Sequence, residues 1–222
     1  MPDLVLHHLE ASRSHRVLWL LEELNLPYRI ERHARDPKTM RAPAALRAVH
    51  PLGKSPVLSI NGVAFAESGA IVEEVVDRFG EGRLRPEAGT DAYRRYRYWL
   101  HYAEGSLMAP LLVKLVLGRM ASAPAPFFVR PILRAAVKKV NEVFTHPELE
   151  LHGEWVERAL TEAPWFAGEA FSAADIQLSY PVEALLSRSP VQRPRTAAWL
   201  ETVRQRPAWQ RALAAGGEPF AH

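Results

Sequence analysis

The chain has 222 residues, 48% of them hydrophobic, a formal net charge of +3 and an isoelectric point near 9.3, enough for one large or two small domains with their own cores. It contains no cysteine, which excludes disulfides, thiolate metal sites and a cysteine nucleophile, so any thiol chemistry must use a thiol brought by a ligand. Met1-Pro2-Asp3 lacks the features of a signal peptide, and Lys114 and Arg119 flank or interrupt a later apolar stretch too short for a bilayer, so a soluble cytoplasmic protein without a membrane partner is expected.

In chain order, Leu4-Val5-Leu6 predicts a strand over 4–7, and Val17, Leu20, Leu21 and Leu24 recur on one face of a helix over 14–25. Between them His8-Leu9-Glu10-Ala11-Ser12-Arg13-Ser14-His15-Arg16 forms a tight loop with a serine pair at the helix mouth. A hydroxyl there can cap the orphan amides, or donate to an anion attracted by those amides and the helix dipole. Strands over 28–33, 56–60 and 63–66 follow, with a short helix around 41–48. Asn61-Gly62 predicts a tight turn between the last two strands, because both residues tolerate positive φ, and makes that pair antiparallel. Ile71, Val72, Val75, Val76 and Phe79 give a helix over 68–79 its apolar stripe, with Gly80 placed to end it. Such alternation is an α/β domain.

Residues 80–89 are a glycine- and proline-rich linker. Beyond it no strand pattern appears, so domains at 1–80 and 90–222 are expected, the second all helix. A long helix over 91–118 leads to the break Ser122-Ala-Pro-Ala-Pro126. A helix marked by Leu133, Ala136, Val137, Val140 and Phe144 follows, then a break at Pro147 and a helix through His152, Trp155, Val156, Ala159 and Leu160. Ser172 and Asp175 form a capping-box pattern before Ile176, Leu178, Val182, Leu185 and Leu186, and helices over 194–205 and 207–214 end the chain. Tyr93, Tyr96, Leu100, Ala103 and Leu107 share one helix side, leaving Arg94, Arg95 and Arg97 as a solvated face with no nucleic-acid partner. Trp19, Trp155, Trp165, Trp199 and Trp209 read as packing residues. His7 and His8 are strand neighbours that point to opposite faces, so no metal site is expected from them.

The runs Ser12-Arg13-Ser14-His15-Arg16-Val17-Leu18-Trp19-Leu20-Leu21-Glu22-Glu23-Leu24, His50-Pro51-Leu52-Gly53-Lys54-Ser55-Pro56-Val57-Leu58 and Glu67-Ser68-Gly69-Ala70-Ile71-Val72 closely resemble cytosolic glutathione transferases of the bacterial serine type. Tyr102-Ala103-Glu104-Gly105-Ser106-Leu107-Met108, Trp165-Phe166-Ala167-Gly168 and Ala173-Ala174-Asp175-Ile176 resemble that family's helical domain. The likeness covers essentially the whole chain, and the order and spacing of the motifs carry it. It implies the glutathione transferase fold: an α/β thioredoxin-like N-terminal domain with a mixed four-stranded sheet, then an all-α C-terminal domain contributing a hydrophobic acceptor site.

The resemblance also implies roles. Ser55, before a cis Pro56, pairs its backbone with the cysteinyl part of glutathione. Glu67 accepts from the substrate ammonium, and Ser68 at the helix mouth meets the α-carboxylate. Lys54, assisted by His50, meets the glycyl carboxylate. Ser12, four residues before Arg16, donates to the sulfur as thiolate. Ser14 is the other candidate, either capping the helix or sharing the sulfur. A free thiol has a pKa of about 8.5, and a hydrogen bond to a charged group, about 1.5 to 3 kcal/mol, lowers it by about one or two units. Arg13, Tyr102, Met108 and Leu112 face the acceptor; Phe127 and Phe128 either shape that pocket or belong to an inter-helix loop; Arg16 braces the fold. The implied enzyme is a glutathione S-transferase of detoxification type, conjugating a hydrophobic electrophile, with peroxide reduction as a second activity. Glutathione is co-substrate and no other cofactor is expected. A homodimer is implied, with Glu73, Glu74 and Asp77 opposite Arg94, Arg95 and Arg97. The alternative is a non-catalytic ligand-binding or interaction module on the same fold, against which the retained glutathione residues argue.

Overall fold

Strands β1 (Leu4–Leu9), β2 (Arg29–His33), β3 (Val57–Ile60) and β4 (Val63–Ala66) form one mixed sheet in the order β2-β1-β3-β4. The structure, a computed structural model, describes residues 2–37, 39 and 41–220. β1 runs parallel to β2 with His7 opposite Glu31, and antiparallel to β3 with Leu6 opposite Leu58. A parallel pair needs a crossover, here α1 (Ser14–Glu23). Alternation sends Leu4 and Leu6 to one face, where they join Val17, Leu18 and Leu21 of α1 and Ile71, Val72 and Val75 of α3 (Ser68–Phe79) in the core. The short α2 (Ala45–Val49) lies between β2 and β3. At the β3–β4 turn Asn61 and Gly62 have φ of 50° and 81°, as the dipeptide implied. Gly80 ends α3 through close approach: a Cβ there would lie 2.3 Å from the Val76 carbonyl oxygen.

From residue 91 on, the described chain folds into helices: α4 (Asp91–Tyr102), α5 (Met108–Ala121), α6 (Arg130–Val140), α7 (His146–Glu162), α8 (Ala173–Arg188), α9 (Pro194–Arg204) and α10 (Pro207–Gly216). A thioredoxin-like N-terminal domain is thus followed by a helical C-terminal one. The long helix expected over 91–118 is present, α4 and α5 being joined by a π-helical turn, Ala103–Leu107, into a helix of 31 residues. Two features differ from expectation. That helix holds an 18-residue stretch apolar enough for a bilayer span. Its Leu100, Ala103, Leu107 and Leu111 are buried in the fold, with α8 packed against α4 and α5. Pro147 does not break the chain into two helices either. It sits in the first turn of α7, and a π-helical turn over Asn141–Thr145 carries the helix across from α6, its wider hydrogen-bond pattern sparing the donor that proline lacks.

Asp175 joins the C-terminal helices. Its Oδ2 accepts from the amide and hydroxyl of Ser172 at 2.9 and 3.0 Å, and its Oδ1 from the Phe166 amide and the Trp199 indole at 3.1 and 3.3 Å. Trp19, Trp199 and Trp209 are buried and Trp165 packs at the core edge, but Trp155 is exposed. It stacks on Trp99 and donates to the Tyr98 hydroxyl, so its role is a surface ring contact. The two halves meet where α1 packs on α8 and α10, and α3 on α8.

Candidate active site

The serine loop begins where β1 ends. Ala11, at φ 47°, turns the chain, and Arg35 holds the turn from outside by donating to the carbonyls of Glu10 and Ala11 at 3.1 and 2.9 Å. Ser12 Oγ donates to the Leu9 carbonyl at 2.7 Å, accepts from the Ser14 amide at 3.2 Å and lies 2.9 Å from Ser14 Oγ. Ser14 Oγ lies 2.9 Å from His8 Nδ1, and His8 Nε2 lies 2.9 Å from the Gly216 carbonyl. A carbonyl can only accept, so Nε2 carries the ring proton, Nδ1 accepts, and the Ser14 hydroxyl donates to it. Burial, the largest influence, lowers the His8 pKa and keeps the ring neutral in this role. The two hydroxyls are therefore unequal. Ser14 is wholly buried, and its proton is committed to His8; it begins α1, which has no side-chain cap. Ser12 lines the cleft, and rotation about its Cβ–Oγ bond turns its proton outward.

The second loop carries Gly53 (φ 57°) and Lys54, and the Ser55–Pro56 bond is cis. Ser55 Oγ donates to the His7 carbonyl at 3.3 Å and lines the cleft with Lys54. Glu67, exposed at the entrance of α3, has φ 69° and ψ 115°, a strained combination for a residue with a side chain, of the kind that collects at functional sites. The α3 entrance also has no side-chain cap from Glu67, its capping residue, and Ser68, the first residue of the helix, is turned to other partners. Ser68 Oγ accepts from Arg16 Nη2 at 2.9 Å and Gln177 Nε2 at 3.3 Å. With both lone pairs taken, its own O–H is what it has left to give.

Arg16, fully buried, ties these parts together. Its Nη1 donates to the Gln177 carbonyl at 2.7 Å and its Nη2 to Glu104 Oε1 at 2.6 Å as well as to Ser68. Arg13 Nε reaches the same Glu104 oxygen at 3.2 Å. Burial opposes the charge on Glu104, but Arg16 and Arg13 outweigh it and hold the carboxyl below the ordinary glutamate range.

A cleft of about 570 Å³ opens between the halves. Of the residues expected there, Ser12, Arg13, Lys54, Ser55 and Leu112 line it. Tyr102 does not: its ring packs among Tyr98, Trp99 and His152, and its hydroxyl meets His152 Nδ1 at 2.5 Å. Met108 is buried in the core, and His50 stands outside the lining, its Nδ1 buried without a partner. A helix side read from spacing cannot tell the cleft from the opposite neighbour α7, and this displaced Tyr102. Phe127 and Phe128 are exposed, in edge-to-face contact with each other. Sequence reasoning missed Arg35, Arg41, Arg47, Arg119 and Tyr180, which line the cleft too, with Leu9, Ala42, Leu52 and Gly53 between them. No motif marks an isolated arginine. His7 and His8 do point apart, but the β1–β2 register brings Glu31 and His33 beside His7, with donor atoms of the three within 4.8 Å of one another.

A thioredoxin-like sheet with a serine loop after its first strand and a cis-proline loop meeting at one cleft, and an uncapped α3 entrance whose Glu67 and Ser68 stand outside the cleft lining, place the chain in the thioredoxin-like class of folds. Comparison with known proteins makes the class particular. Residues 12–78 match the family model described as the glutathione S-transferase N-terminal domain. The chain is 36% identical over 209 residues to glutathione S-transferase 3 of Schizosaccharomyces pombe, covering 92% of this chain and 84% of that one. It is 30% identical over 213 residues to glutathione S-transferase 1 of Saccharomyces cerevisiae, covering 91% of each. A crystal structure of a glutathione S-transferase from Actinobacillus pleuropneumoniae superposes with a TM-score of 0.78 at 32% identity, covering 96% of this chain and 92% of that one. The chain belongs to the glutathione S-transferase family.

Proposed function

We propose that this glutathione transferase binds glutathione with its sulfur at Ser12, its cysteinyl backbone at Ser55 and its γ-glutamyl end at Glu67 and Ser68. Lys54 takes the glycyl carboxylate. The observation that carries this is the Ser68 oxygen: Arg16 and Gln177 occupy its acceptor capacity, so its proton and the uncapped amides of α3 favour a carboxylate there. In the reaction the thiol proton passes to solvent and Ser12 stabilises the thiolate by donating to sulfur. A sulfur lone pair then forms a C–S bond as the carbon–leaving-group bond breaks and the leaving group departs with its electron pair. As a second activity the same thiolate attacks the O–O bond of a peroxide, releasing the alcohol and leaving a glutathione sulfenic acid, which a second glutathione converts to the disulfide and water. The setting we propose is cytoplasmic, with a detoxifying role and a homodimer.

Calorimetric titration with glutathione, with the ultraviolet absorbance of the thiolate followed across pH, tests this. The expected result is saturable binding with the thiol titrating about one to two units below its free value of about 8.5. Binding without a shift favours a carrier on the same fold, and absence of binding refutes the proposal.

A further inference from the structure

Among the described residues, six cationic side chains and no carboxylate line the cleft. Glutathione offers two carboxylates and an ammonium, and the reading above places those carboxylates at Lys54 and the α3 entrance, on the sheet side. The cations on the helical side have no such use. Arg119 stands in the last turn of α5, seven residues after Leu112, so the two share one helix face and both line the cleft. Arg119 has no carboxylate partner among the described residues. Arg13 has only Glu104, and that carboxylate also serves buried Arg16. Arg188 is near enough to both that, after burial, repulsion from Arg13 and Arg119 contributes to lowering its pKa. Tyr180 completes this wall, its ring 5.5 Å from the Arg13 guanidinium carbon. Gathered like charges oppose the compact state and draw anions to a cleft.

We propose that the acceptor is itself an anion: an apolar electrophile bearing a carboxylate or similar oxyanion, its body along Leu112 and Tyr180 and its charge on Arg119 and Arg13. The inference rests on the reading of Ser12 as the sulfur site, because that position sets the distance from sulfur to Arg119. It also changes the expected acceptor from merely hydrophobic to amphipathic.

Two unreactive conjugates test it, S-(4-carboxybenzyl)glutathione and S-benzylglutathione, titrated by calorimetry into the parent and Arg119→Gln, with glutathione alone as the control. Arg119 is exposed, so the variant is expected to fold. The carboxylated conjugate should bind at least about tenfold more tightly to the parent, the scale of one charge-assisted hydrogen bond. The preference should shrink in high salt and vanish in Arg119→Gln, with glutathione affinity unchanged. Equal affinity of the two conjugates for the parent, with glutathione still bound, overturns the anionic acceptor and leaves the glutathione reading intact. A preference that survives Arg119→Gln overturns the assignment to Arg119. If neither conjugate nor glutathione binds, both readings fall.

Discussion

Ser12→Ala and Ser14→Ala should fail in opposite ways, although the two oxygens lie 2.9 Å apart. Ser12 is at the cleft; Ser14 is wholly buried and donates to His8 Nδ1. A donor to the thiolate contributes about 1.5 to 3 kcal/mol, or about one to two pKa units. Ser12→Ala should therefore return the thiol of bound glutathione to within about half a unit of its free value of about 8.5, and cut the thiolate fraction at neutral pH about tenfold or more. Ser14→Ala leaves His8 Nδ1 without its donor while Nε2 stays bound to Gly216. An unsatisfied buried group costs about 1 to 3 kcal/mol, so this variant should lose that much in urea denaturation while the bound thiol keeps its pKa. Thiolate absorbance against pH and the urea midpoint, measured on both variants, separate the effects. A thiol pKa raised as far by Ser14→Ala as by Ser12→Ala refutes the division of roles.

Three other outcomes are expected. Glu104→Gln should cost about 3 kcal/mol in urea denaturation, at the lower end for a broken buried pair because Glu104 is one-third exposed; an unchanged midpoint would show that Arg16 is satisfied by Ser68 and Gln177 alone. Since its folded pKa lies below the ordinary 4.5, the stability from Glu104 should be whole above that value and disappear as pH falls through the lower one. His15 is buried against Trp209 with both ring nitrogens unpartnered, and burial, with a smaller push from His8, lowers its pKa from 6.5 to about 3. Its contribution is whole above pH 6.5 and falls by about 1.4 kcal/mol per pH unit down to about pH 3; His15→Leu, of similar volume, should shift the acid-unfolding midpoint downward, and an unmoved midpoint counts against the reasoning. Finally, Glu74→Arg, which reverses a charge on α3 and breaks its pair with Arg78, should weaken the proposed homodimer in light scattering, and a fully dimeric variant would exclude that contact.

Local chemistry, written in short runs of residues, is what the chain states by itself. Val17, Leu20, Leu21 and Leu24 are a helix in any context that offers a core, Asn61-Gly62 turns because both residues accept positive φ, and Ser172 with Asp175 caps α8 across three residues. The serine pair, Ser55-Pro56 and Glu67-Ser68 lie in such runs, and so the residues proposed for the site can be picked out from the sequence alone. Tertiary structure alone decided what depends on distant neighbours. Which serine meets the cleft was settled by Gly216, 208 residues from His8, because that carbonyl fixes the ring tautomer and so commits the Ser14 proton. Tyr102 turned inward because α7 offered His152. The cationic wall of the cleft exists because the start of α1 and the end of α5 border one space, so that Arg13 and Arg119 line the same cleft although more than a hundred residues separate them. Spacing encodes which residues share a face, and only packing determines what that face meets.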